Sequence, residues 1–237
     1  MKKLFFIFLG FAFLSAGAQT VDEVIQKYAA NLGGLEAFTK IKTAKMSGTF
    51  SAQGNDLPMT IRVINDKACR TDLDFSGTSV IRVYNNGKGW TQSPFGGSPV
   101  PREATTTELN DFRPQCRLAS PLMDYKSRGH QVELAGQEDT EGVKAFKIKL
   151  INKDDGRTTY YYIKTDDYTL IKTSTGREIN GQTATLEVLY SDLKEINGAK
   201  FFMTRMQKMN GEIFQTTKFS TIELNVPIDE KIFDMPK

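Results

Sequence analysis

The side chains that could run chemistry in this chain of 237 residues are few and scattered. His130 is the only histidine, and Cys69 and Cys116 are the only cysteines. One imidazole and two distant thiols cannot supply the ligand set of a zinc, haem or iron–sulfur site. His130 stands just before a predicted strand, where a structural or surface role outweighs that of a general base. Carboxylates do cluster, at Glu138-Asp139-Glu141, Asp154-Asp155 and Asp166-Asp167. Two acids facing each other across a cleft could hydrolyse a glycosidic bond. All three groups fall at predicted turns, however, where such residues ordinarily shape the turn and face water. There is no Gly-x-Ser-x-Gly elbow and no glycine-rich phosphate loop. The chain reads as a non-enzyme without a cofactor.

Other side chains suit binding. Three arginines, Arg62, Arg70 and Arg82, lie in alternating strand-like segments. Either they stand on an outer face with their stems along apolar surface, or one points inward to pair with an acid or a carbonyl. Trp90, the only tryptophan, follows the turn pair Asn86-Gly87 and precedes a loop containing Phe95. If those two residues form the turn, Tyr84 pairs with Gly89 and Val83 with Trp90. Trp90 then shares a face with Ile81 and Val83, and Arg82 and Tyr84 take the other. Trp90 is thus a peg that fixes the hairpin register. If its face looks inward, Trp90 and Phe95 also line the mouth of a cavity. Cys69 and Cys116 either form a disulfide or are two small buried apolar residues.

The elements that must position these residues begin after a leader. Two lysines, an apolar run from Leu4 to Leu14 and the small residues Ala16-Gly17-Ala18 read as a secretory signal peptide. Cleavage is expected after Ala18, with no cysteine there to carry a lipid, which predicts export to the periplasm. Without Lys2 and Lys3, 29 basic residues face 28 acidic ones. Such balance argues against a nucleic-acid partner. Residues 19–237 are expected to form one domain, and the protein is expected to be a monomer.

Thr20-Val21-Asp22-Glu23 is a capping box that opens a helix, which Gly33-Gly34 ends. Leu35, Phe38 and Ile41 suggest a short second helix. Strands follow, punctuated by Asn86-Gly87, Asp155-Gly156, Asn180-Gly181, Asn197-Gly198 and Asn210-Gly211. Phe146, Ile148 and Leu150 alternate with lysines, as a half-buried strand should. The count is about ten strands, in two blocks covering 44–93 and 130–225, a sheet large enough that it must curl or close. Between the blocks, residues 101–129 read as short helices carrying Leu109, Phe112, Leu122 and Met123, with starts at Thr105 and Ser120-Pro121. The fold class is mostly β within α+β: a strongly curved antiparallel sheet with N-terminal and central helices on its concave side.

The leader, the first helix VDEVIQKYAANLGG, the YNNGKGW hairpin running into a loop and helix, the long second meander and the closing PIDEKIFDMP occur in that order. In this order the chain resembles the periplasmic outer-membrane lipoprotein-sorting proteins, the LolA/LolB-like group, and especially divergent members common in Bacteroidota-type bacteria. The resemblance implies an unclosed β-barrel whose apolar concave face, capped by helices, carries acyl chains of lipoproteins or other lipids. Partners would then include inner- or outer-membrane sorting components. Divergent members also include sensors of envelope stress. The resemblance further implies a strand arginine that latches the helical lid, for which Arg62, Arg70 and Arg82 are the candidates. Trp90, Phe95, Leu109, Phe112, Leu122, Met123, Phe146, Ile148 and Leu150 are the candidates for the cavity or its lid.

Overall fold

The computed structural model describes residues 19–95, 98–179 and 182–236; the leader and the Asn180-Gly181 turn lie outside the described residues. Thirteen antiparallel strands form one sheet, β1 Thr43–Ala52, β2 Asn55–Ile64, β3 Ala68–Phe75, β4 Thr78–Asn85, β5 Lys88–Ser93, β6 Ser98–Glu103, β7 Gln131–Thr140, β8 Val143–Ile151, β9 Thr158–Lys164, β10 Leu170–Ile179, β11 Gln182–Ile196, β12 Ala199–Met209 and β13 Glu212–Leu224. Their spatial order is β6-β5-β4-β3-β2-β1-β13-β12-β11-β10-β9-β8-β7. The first meander runs outward from β1 to one edge, and the second returns from the other edge to pair β13 with β1. The edges β6 and β7 do not meet, so the curved sheet is not closed into a barrel.

The strand count exceeds the expected ten for local reasons. Gln53-Gly54, Ser76-Gly77 and Glu141-Gly142 take positive φ at both residues, as Asn86-Gly87 does, although their first residues are weaker turn formers. β6 contains Pro99 and Pro101 and is tolerated because it lies on an edge. Conversely, Asp155-Gly156 is not a two-residue turn. It belongs to a loop between β8 and β9 in which only the glycine has positive φ.

Helix α1 (Val21–Asn31) starts at the expected box: the Thr20 hydroxyl accepts from the Glu23 N–H at 3.2 Å, and the Glu23 carboxylate accepts from the Thr20 N–H at 2.9 Å. α2 (Gly34–Thr39) follows directly. The connection from β6 to β7 must travel from one sheet edge to the other. It carries α3 (Thr106–Phe112), capped by Thr105 and Glu108, then a 3-10 turn at Arg113–Cys116. The Ser120-Pro121 start yields only a turn, and helix α4 is confined to Tyr125–Arg128, closed by Gly129 at φ 70°.

Register assigns the two faces. Met46 opposes Ile61, Ile61 opposes Thr71, Thr71 opposes Arg82, and Arg82 opposes Thr91. This helix-covered face holds the main core, where Val24, Tyr28 and Leu32 of α1 and Phe38 of α2 meet Met46, Val63, Cys69, Ile148 and Ile163. Gly89 belongs to it, because a Cβ there would run into the Val83 carbonyl and into Leu109 of α3. The opposite face has its own smaller core of Ala68, Ile81, Val83 and Trp90, covered by Ile228, Ile232 and Phe233 of the C-terminal tail. No helix of the described residues is long and apolar enough to cross a membrane.

Candidate functional site

Beneath the crossing segment lies a cavity of about 650 Å³, within the range of ligand-binding clefts. Its inner wall is apolar and aromatic: Tyr28 and Leu32 of α1, Tyr161 of β9, Leu186 and Tyr190 of β11 and Phe202 of β12. Burial pushes the phenols of Tyr28 and Tyr161 above their ordinary range, keeping both neutral. Asn110–Pro121 forms the roof. The rim is cationic, since the lining includes seven basic side chains against three acidic ones.

Ion pairs fasten the roof to the sheet. Asp111 of α3 accepts hydrogen bonds from Arg157 Nη1 at 2.9 Å and from Arg177 Nη1, on β10, at 3.2 Å. Arg177 Nη2 lies 3.1 Å from the same carboxylate, and Arg113 pairs with Asp154 at 2.9 Å. Farther along, Arg128 bridges Asp124 at 2.5 Å and Asp66 at 2.8 Å. A disulfide between Cys69 of β3 and Cys116, Cα atoms 4.8 Å apart, pins the roof at its middle. At the α1 end, the Tyr125 hydroxyl donates to Asp22, and Lys126 Nζ lies 2.6 Å from that carboxylate.

The predicted residues separate accordingly. Phe146, Ile148, Leu150 and Leu122 are buried in the main core, and Leu150 also lines the cavity. Met123 packs partly buried against that core. Phe112 is buried and Leu109 covers Gly89, so both belong to the lid segment. Trp90 does not line the cavity. It is 2% exposed on the outer face, where its Nε1 donates to the Phe233 carbonyl at 3.0 Å. Phe95 is 53% exposed and packs edge-on to Phe75, away from the cavity.

Two latch candidates also stand on the outer face. Arg62 and Arg70 are directly opposed and share Asp72, and Arg70 Nη1 donates to the Ile232 carbonyl at 2.8 Å. They border a cleft of about 300 Å³ beside Ile232, where Arg70 holds the C-terminal tail and Arg62 pairs with Asp72, and neither touches the helical lid. Arg82 alone is on the concave face, close to Glu108 and Asp111 but with no hydrogen bond or ion pair to any described residue. The lid-holding arginines, Arg157 and Arg177, were missed. Two-residue counting back from Asn180-Gly181 would have placed Arg177 opposite Ala184, and that is the observed pairing.

His130 is 7% exposed, and its Nδ1 accepts from the Lys153 N–H at 3.2 Å. Burial, aided by the nearby Arg117 charge, holds its pKa below the usual histidine range. A depressed value means the fold favours the neutral ring. Its stabilisation is complete above about pH 6.5 and is lost as pH falls below that through the folded value. His130→Asn, which keeps an acceptor near Nδ1, is expected to flatten the decline in stability from about pH 7 to 5. Urea melts at the two pH values measure it, and equal slopes for both proteins would refute it. Among the described residues, no three His, Cys, Asp or Glu side chains gather to hold a metal ion.

No protein-family model and no curated protein matches the chain. Solved structures do. A LolA superfamily protein from Nitrosomonas europaea superposes with a TM-score of 0.58 at 12% identity, over 92% of this chain and 98% of that one. A domain assigned as an outer membrane lipoprotein-sorting protein, from Vibrio parahaemolyticus, gives 0.57 at 11% identity, over 90% and 95%. The fold is LolA-like. A DUF1329 family protein from Desulfovibrio piger shares it, with a TM-score of 0.52 at 10% identity over 92% and 98% of the two chains. At such low identity the likeness concerns the LolA-like fold itself. The unclosed sheet and the roofed concave face are its features in this chain.

Proposed function

We propose that this protein is a non-enzymatic carrier that binds acyl chains of lipids or lipoproteins in the concave cavity. The observation that carries this reading is the cavity of about 650 Å³, with an apolar wall and a roof tied down by ion pairs and one disulfide. Burial of an acyl chain contributes about 0.8 kcal/mol per methylene, so even part of a chain within the cavity gives useful affinity. The likeness to a lipoprotein-sorting domain supports the same ligand class. The reading includes export to the periplasm with residues 1–18 removed, and exchange with membrane-bound sorting partners.

Purification under native conditions followed by lipid mass spectrometry tests it, with co-purifying acylated species as the expected result. Leu186→Trp places an indole in the cavity and is expected to cut binding of a fluorescent acyl probe at least about tenfold at an unchanged melting temperature. A stable wild-type protein that carries no lipid and takes up no probe would favour an interaction module instead.

A further inference from the structure

The cavity's cationic rim adds a requirement on the ligand that the apolar wall does not. Asp111 is gripped by two guanidiniums, and Arg82, on the helix-covered face of β4, makes no hydrogen bond or ion pair among the described residues. Glu108, the other carboxylate near Arg82, is already committed to Arg102 at 2.7 Å and is held at a pKa of about 2 chiefly by that pair. Arg157 and Arg177 therefore share the Asp111 carboxylate at hydrogen-bond distance, and the only other acid paired with either among the described residues is Asp155, 3.6 Å from Arg157. Arg177 Nε is in addition buried and has no hydrogen-bond partner. Arg205 lines the cavity 5.4 Å from the Phe219 ring and makes no ion pair with a carboxylate among the described residues. The mature chain as a whole is nearly neutral, so this excess is local.

Guanidiniums whose donors outnumber the acceptors present form a ready seat for a second anion, and planar two-oxygen groups fit them best. We infer that Arg157 and Arg177 form an anion seat at the cavity mouth for the carboxylate or phosphate head of an acyl-chain amphiphile, and that Asp111 fills this seat when the cavity is empty. This inference rests on the acyl-binding reading above and deepens it. A head entering the seat competes directly with Asp111, releasing α3 from β10 while Cys116 keeps the roof tethered. Ligand entry and lid release thereby become one exchange of anions. The free Nε of Arg177 adds a donor that the Asp111 carboxylate does not use.

The test compares three probes of equal chain length on the full mature protein: palmitate, palmitoyl lysophosphatidic acid and neutral monopalmitin. Wild type is expected to bind at least one anionic probe about tenfold or more above monopalmitin, and which one does so identifies the head group. The R157Q/R177Q double variant is expected to erase that preference, bringing the ratio of anionic to monopalmitin affinity to within about twofold of unity. Asp111→Asn, which removes the competitor but neither arginine, is expected to raise anionic affinity more than neutral affinity. It serves equally if the double variant does not fold. Equal binding of charged and neutral probes, unaltered by these substitutions, overturns the seat and leaves the acyl cavity standing. Binding of none of the three overturns both.

Discussion

Replacing Cys69 and Cys116 with alanine, or reducing their disulfide, is expected to lower the free energy of unfolding by about 4 kcal/mol. The bridge closes a loop across 47 positions, and the chain-entropy model assigns roughly that value to a loop of this length. For a chain of this size the melting temperature should fall by about 8–16 °C. The location makes the effect functional as well as global. Cys69 is on the concave face of β3 and Cys116 ends the 3-10 turn after α3, so the link fixes the roof to the sheet at the cavity. Backbone bonds help only slightly there, the Asp66 N–H donating to the Cys116 carbonyl at 2.9 Å. With the link gone, residues 104–130 should exchange amide hydrogens faster than β1 or β13. Urea melts with and without reductant, paired with hydrogen exchange, measure both effects. Equal midpoints would show that the roof is held by its ion pairs alone.

Much of this was legible in local sequence, and the failures share a physical cause. Asn86-Gly87 fixed the pairing of Tyr84 with Gly89 and of Val83 with Trp90, because a two-residue turn leaves no freedom of register. The same arithmetic could not say which side looked inward. That hairpin is apolar on both faces: Val80 and Tyr84 on one side, Ile81, Val83 and Trp90 on the other. What decides between them is the C-terminal tail, more than a hundred residues away, and nothing near Trp90 encodes its arrival. Two of the three latch candidates fall on the wrong face for a related reason. Alternation brought out Arg62 and Arg70, but these face each other across β2 and β3 on the tail side. Arg157 sits in a loop without alternation, and its partner Asp111 is 46 positions distant. Helix caps at Thr20 and Thr105 were readable because both partners lie within three residues.

Trp90→Ala is expected to destabilise the protein by about 3–5 kcal/mol, the usual cost of removing a large buried aromatic side chain. The ring is 2% exposed and belongs to a small core with Ala68, Ile81, Val83 and Phe233, so few neighbours can collapse into the space it leaves. The Arg70 guanidinium lies 5.5 Å from the ring centroid and itself donates to the Ile232 carbonyl, so loss of the indole loosens both grips on the tail. Trp90→Phe keeps most of the packing but deprives the Phe233 carbonyl of its donor, and should cost only about 1 kcal/mol more than the lost ring volume. Affinity for an acyl probe should stay within about twofold in the Phe variant, since residues on opposite faces without shared partners act nearly independently. Limited proteolysis should reveal the alanine variant first at residues 225–236, where the tail leaves the sheet. Urea melts and probe titrations on the two variants decide the matter. A loss of probe affinity in Trp90→Phe as large as the loss produced by Leu186→Trp would return this side chain to the cavity and reverse the assignment of faces.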